Sequence, residues 1–170
     1  MNRVLGAVAA AVGLVLAGSS TAWAAPGGVP VGAELTHQQQ PGSEILAVTN
    51  KGNAPLSLNG WPQLSFLAAN NSPVPVPVQQ VNQPGAATPT TLQPGQSAFA
   101  GVKLVAGPKS SSDVFVATTT KLTVPGAAGP VVVTLIGPDG KPVGYPELSL
   151  KSVQVGTFQP VMQGVSPDAW

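Results

Sequence analysis

The chain has 170 residues, 8% of them charged, and a formal net charge of +1. Soluble domains average about 25% charged residues. The only arginine is Arg3, so the six lysines after it (Lys51, Lys103, Lys109, Lys121, Lys141 and Lys151) face six acids. From residue 25 on the chain is neutral and has no arginine, which counts against nucleic-acid binding, dependent on neutralising phosphates, and against a polybasic membrane-surface protein.

Residues 1–24 have the layout of a cleavable secretory signal peptide. Arg3 gives the charged start, Val4 to Ala17 is apolar throughout, and Ala22-Trp23-Ala24 is a small-x-small cleavage site. The apolar run is shorter than the about 20 residues a membrane span needs. The expected product is secreted, extracellular or cell-wall associated, with no membrane span in the mature chain. The chain has no cysteine, so neither a disulfide framework nor lipid attachment at a cysteine is available to it.

From residue 25 on, short β-branched and apolar runs alternate with turn residues. Gly32 to Gln38 reads as a first strand, Glu44 to Thr49 as a stronger one, then Leu56 to Leu58 and Leu64 to Leu67. Asn50-Lys51-Gly52-Asn53 reads as a turn between them. In Pro73-Val74-Pro75-Val76-Pro77-Val78, alternate residues lack a backbone donor, which excludes a central strand and predicts an edge. Gln83 to Thr91 reads as a loop. Pro94-Gly95 makes a turn before a long strand from Ser97 to Val105, with Phe99 and Leu104 expected in the core. Val114 to Ala117 and Thr120 to Val124 form one strand or two. Val131 to Ile136 is the strongest strand signal, Gly137-Pro138-Asp139-Gly140 the strongest turn, and Leu148 to Thr157 the last strand.

No stretch carries a helical apolar period. The pattern predicts an all-β fold, an immunoglobulin-like β-sandwich of about seven to nine strands over residues 25–158. Residues 159–170 are expected to form a flexible tail.

Catalytic chemistry has little to stand on. His37 is the only histidine, and no Gly-x-Ser-x-Gly elbow supplies a nucleophile for it. One histidine and no cysteine argue against zinc. Asp139 lies in a turn without a second acid to share calcium. No phosphate-binding glycine motif is present. No catalytic residue, metal site or cofactor is therefore expected. Two aromatic residues stand out as candidates for surface binding. Trp61, in Gly60-Trp61-Pro62, is either a binding anchor or a ring packed on the core edge. Tyr145, the only tyrosine, is either such a surface residue or one that packs or hydrogen-bonds at a strand end.

Three stretches carry a family resemblance. They are Val48 to Gly52 with Leu58 to Leu64, Leu92 to Ala98, and Val155 to Pro160. In this order they resemble the secreted actinobacterial domain-of-unknown-function family numbered 4232. The resemblance implies an exported immunoglobulin-like sandwich from a high-GC Gram-positive bacterium. It implies no activity and no site residues.

The expected function is a non-enzymatic binding or structural module of the cell envelope or extracellular space. It is expected to be a monomer with an envelope protein or glycan as partner. One alternative is a hydrolase of envelope polymers, with two of Glu34, Glu44, Asp113, Asp139 and Glu147 facing each other at about 5 to 10 Å. Another is a carrier holding a small apolar ligand between the sheets, in a cavity of at least about 300 Å³.

Overall fold

The computed structural model describes residues 27–170, so the expected signal peptide lies outside the described residues. Within them the chain forms thirteen strands and one short 3-10 turn. In chain order they are β1 (Val31–His37), β2 (Ser43–Asn50), β3 (Leu56–Leu58), β4 (Gln63–Leu67), β5 (Pro73–Val74), β6 (Val78–Gln80) and β7 (Thr90–Leu92). There follow β8 (Ser97–Ala106), β9 (Phe115–Ala117), β10 (Thr119–Thr123), β11 (Val131–Val132), β12 (Thr134–Ile136) and β13 (Leu148–Val155).

The larger sheet runs β12-β1-β2-β8-β13-β6, with β9 also paired to β13. The β1/β12 and β13/β6 pairs are parallel, and the other pairs of this sheet are antiparallel. A four-stranded sheet runs β11-β10-β4-β5, and β3 pairs with β7 in a third, small sheet. All three sheets contribute to one core. Ala33, Leu35, Leu46, Val48, Ala98, Ala100 and Val102 come from the larger sheet, Phe66 and Leu122 from the second, and Leu56, Leu58 and Leu92 from the third.

The alternation of side chains along a strand sets which residues reach that core. On β8 it selects Ala98, Ala100 and Val102, so Phe99, expected inside, is only half-buried, whereas Leu104, in phase with them, packs partly buried against the core. Small inward side chains let the second sheet approach closely. On β13 the period breaks. A bulge between Leu150 and Ser152 inserts Lys151, so Leu150 and Val153 both reach the core. Lys151 then pairs with Asp113 at 3.1 Å.

Thirteen strands replace the expected seven to nine because three stretches change sheets midway. Val131 to Ile136, read as one strand, divides at the buried Val133. β11 pairs with β10 in the smaller sheet, and β12 pairs with β1 in the larger. Residues 115–123 divide at Thr118, with β9 on β13 and β10 on β4. The proline segment divides at the buried Val76, with β5 on β4 and β6 on β13. Both of its halves lie at sheet edges, as missing backbone donors require. β7 falls at the end of a stretch read as loop.

Asn50 holds the β2 end in place. Its side chain is fully buried, donates to Ala54 O at 2.8 Å and Leu92 O at 2.9 Å, and accepts from Gly52 N at 2.9 Å. The turn asparagine of the sequence is thus an interior bracket joining the 51–55 loop to β7. Gly95 adopts φ +84°, and Gln96 N donates to Gln93 O at 3.0 Å. The Pro94-Gly95 turn needs that positive φ, which glycine adopts without strain.

Residues 159–170 are packed in the structure, not a flexible tail. Gln159 and Phe99 exchange backbone hydrogen bonds of 2.7 and 2.9 Å. The segment then crosses the outer face of β2 and β8, where it buries Val165 and covers Ile45. Gly101 and Gly156 make room for it. A Cβ on Gly101 would come within 2.2 Å of Val165 O and 2.4 Å of the Trp170 ring, and one on Gly156 within 2.9 Å of the same ring. Asp168 accepts from Gln39 N at 3.1 Å and Gln40 N at 3.2 Å. The neighbouring Ser43 hydroxyl, with these amides and Ser166, holds its carboxyl below the usual carboxylate range.

Two expectations follow. Asn50→Leu strands the buried Leu92 O and removes the partner of the part-buried Ala54 O and Gly52 N, and an unmet buried polar group costs about 1–3 kcal/mol. Urea unfolding should show a loss of about 2 kcal/mol or more; a loss under about 1 kcal/mol would contradict the bracket. Asp168 has a depressed pKa, so its contribution is present above the unfolded value of about 3.9 and lost as pH falls through the lower folded value. In a Trp61→Phe background, Trp170 emission should shift red below about pH 4. Asp168→Asn should show a red-shifted, pH-independent emission already at neutral pH. Identical traces for both proteins would sink this account.

Candidate functional site

Two of the three sheet changes occur side by side. Thr118 N donates to Leu67 O, and Val133 N donates to Thr120 O, each at 2.9 Å. From this line β9 and β12 stay with the larger sheet, while β10 and β11 belong to the smaller. The chain cannot fill the angle between the diverging sheets. A solvent-open groove of about 560 Å³ results, lined by Ala69 and residues 118–120, 132–135 and 143–147.

The 137–147 loop forms the far wall. Its Gly137-Pro138-Asp139-Gly140 turn closes through Gly140 N to Gly137 O and Gly137 N to Lys141 O, both at 2.9 Å. Val143 N donates to Leu135 O at 2.8 Å and pins the loop to β12. Next come Gly144, Tyr145 and Pro146. The residue before a proline is confined to extended backbone, so Tyr145 is aimed by local stereochemistry instead of packing. It is 99% exposed.

The chemistry of the groove is uniform. Thr118, Thr119 and Thr134 supply hydroxyls. Thr120 is 2% exposed, and its Oγ1 has no hydrogen-bond partner. Val132 and Val143 are exposed apolar side chains beside Tyr145. Glu147 is the one charged lining residue, and Lys109 pairs with it. The groove therefore combines apolar surface with hydroxyls and carries little net charge.

Trp61 lies elsewhere. Its ring is half-buried against the core, and Nε1 donates to Val81 O at 2.8 Å. It lines no part of the groove. Of the two aromatic candidates, Tyr145 is presented to solvent and Trp61 is packed.

Several of the other titratable groups have local partners. His37 Nδ1 lies 2.9 Å from Glu44 Oε1, in a hollow of about 210 Å³ that shares Leu135 and Val143 with the groove. Burial pushes the Glu44 carboxyl up, and His37 opposes this. Asp113 pairs with Lys151, and Asp139 accepts from Lys141 N at 3.1 Å. Among the described residues, no two carboxylates share a hydrogen-bond or ion-pair partner. Nor does any group of three or more His, Asp or Glu among them meet the geometry of a metal site.

The sequence reading found Tyr145 but missed the threonines. Thr118-Thr119-Thr120 looks like ordinary strand composition. The available signal was its place between two apolar runs, where the chain changes sheets.

No curated protein and no solved structure matches the chain. The family described as "Domain of unknown function (DUF4232)" matches residues 24–159, from the end of the expected signal peptide to the Gln159–Phe99 pairing. The Asn50 bracket, the Pro94-Gly95 turn and the Gly156 seat all fall within that span, and the chain belongs to this family.

Proposed function

We propose that the protein is a secreted, non-enzymatic binding module of the cell envelope or extracellular space, and that the groove at the sheet corner is its binding site. The secretion reading rests on the charge, apolar run and small-x-small triplet of residues 1–24. The observation that carries the binding reading is Tyr145, a 99% exposed ring held at the rim of a groove that also gathers Val132, Val143 and the hydroxyls of Thr118, Thr119 and Thr134. Clustered exposed apolar side chains mark interaction sites more often than chance exposure does. The groove volume falls within the about 300–1,000 Å³ typical of ligand pockets.

The alternatives are less well supported. A carboxylate hydrolase needs two acids facing each other, whereas the acids near the groove are Glu147, paired with Lys109, and Glu44, paired with His37. A carrier needs space between the sheets, whereas this groove opens at their corner.

The test is retention of the chain from residue 25 on isolated envelopes of its own organism. Tyr145→Ala should weaken retention tenfold or more, about 1.4 kcal/mol, and change unfolding stability by no more than about 0.5 kcal/mol. Equal retention of variant and parent would refute the groove as the binding site.

A further inference from the structure

We propose that residues 165–170 form an exchangeable plug, and that their seat on the outer face of β2 and β8 also receives the same segment from a second copy of this chain. The first ground is that the plug is self-contained. Ser166 caps the 3-10 turn Pro167–Ala169, its hydroxyl accepting from Asp168 N at 3.3 Å. Ala169 N donates to Ser166 O at 3.0 Å, and Trp170 N to Pro167 O at 3.2 Å. Its contacts with the domain are made at the seat. Asp168 accepts from Gln39 N and Gln40 N, the Trp170 ring lies against Gly101 and Gly156, and Val165 and Pro167 are buried. No seat residue belongs to the segment that tethers the plug. A plug arriving from another copy therefore makes the same contacts, which is why exchange of an identical element is a low-cost route to dimers.

The second ground is the tether. Residues 160–164 are all exposed. A turn from Met162 to Val165 returns the chain onto its own domain, closed by Val165 N to Met162 O at 3.3 Å, with Gly164 at φ +76°. Opening this one turn frees the plug to reach a neighbour. The rest of the fold is untouched, because the family match ends at Gln159, just before the tether. Since exchange conserves the plug contacts, the balance between closed monomer and exchanged dimer is set by the tether and by protein concentration.

The third ground selects a second copy as the occupant. Val161 and Met162 are adjacent, large, apolar and 60% and 56% exposed. The tether, Pro160-Val161-Met162-Gln163-Gly164, carries no charge. Nothing in it attracts a charged partner, and two tethers meet without repulsion. In a two-fold exchanged pair the tethers pass each other in opposite directions, and each covers the other's exposed apolar pair.

Refolding and labelling test this. The chain from residue 25 is refolded from urea at a series of protein concentrations, and its mass is read by sedimentation velocity. Equal amounts of ¹³C,¹⁵N-labelled and unlabelled chains are also refolded together for isotope-filtered NOE spectra. The dimer fraction should rise with refolding concentration, with NOEs from the Trp170 ring of one chain to the Gly101 amide of the other. Val161→Ser combined with Met162→Ser should weaken dimerisation about fivefold or more. It should leave the thermal midpoint of the monomer unchanged, because both side chains are exposed there. Gly164→Val places a β-branched residue where the closing turn needs positive φ, and should strengthen dimerisation about fivefold or more. Monomer at every concentration for both the parent and Gly164→Val would overturn the proposal. A dimer whose Trp170–Gly101 NOEs stay within one chain would overturn it too, by placing the contact on another face.

Discussion

The structure depends on the chain passing between its two larger sheets at Val76, Thr118 and Val133. Each of these residues ends one strand pairing and precedes another in the opposite sheet. Val76 and Val133 are buried there, so each crossing contributes apolar surface to the core it encloses. Such corners let two sheets share strands without a separate connecting loop. They also fix where the sheets diverge. The groove beside Thr118 and Val133 is the geometric remainder of that divergence, walled by a loop that β12 and Pro146 keep in place.

Two further devices hold other parts of the fold together. Asn50 ties β2 to β7 by placing an amide where only hydrogen-bonded polar groups are tolerated. Residues 159–170 cover the outer face of β2 and β8, which would otherwise expose Ile45. Both devices use close backbone approach. Gly52 reaches the Asn50 side chain, and Gly101 and Gly156 admit the Trp170 ring. At the sheet corner, by contrast, a groove stays open and an aromatic ring stays uncovered.

The all-β class was legible because period-2 alternation and turn residues are local signals. β2, β3 and β8 lie within a residue or so of their expected bounds. The sheet changes were not legible. Val131 to Ile136 has the same β-branched composition on both sides of Val133, and nothing local distinguishes a partner in one sheet from a partner in the other. Phe99 was misplaced because size suggested burial, while the strand phase, set by β2 and the second sheet, turned Ala98 and Ala100 inward. The packing of residues 159–170 was not legible because the seat of Trp170 is made by two glycines elsewhere in the chain, Gly101 and Gly156. At the site, Tyr145 was visible as the only tyrosine of the chain. The threonine wall was not, since it exists only once β10 and β11 leave the larger sheet.

The family match covers the fold and brings no activity with it, so the functional account rests on the groove. The most direct test is hydrogen exchange of the chain from residue 25, measured with and without isolated envelope material. The account predicts added protection confined to residues 118–120, 132–135 and 143–147. Added protection on β2, β8 or residues 159–170 instead, or none anywhere, would contradict it.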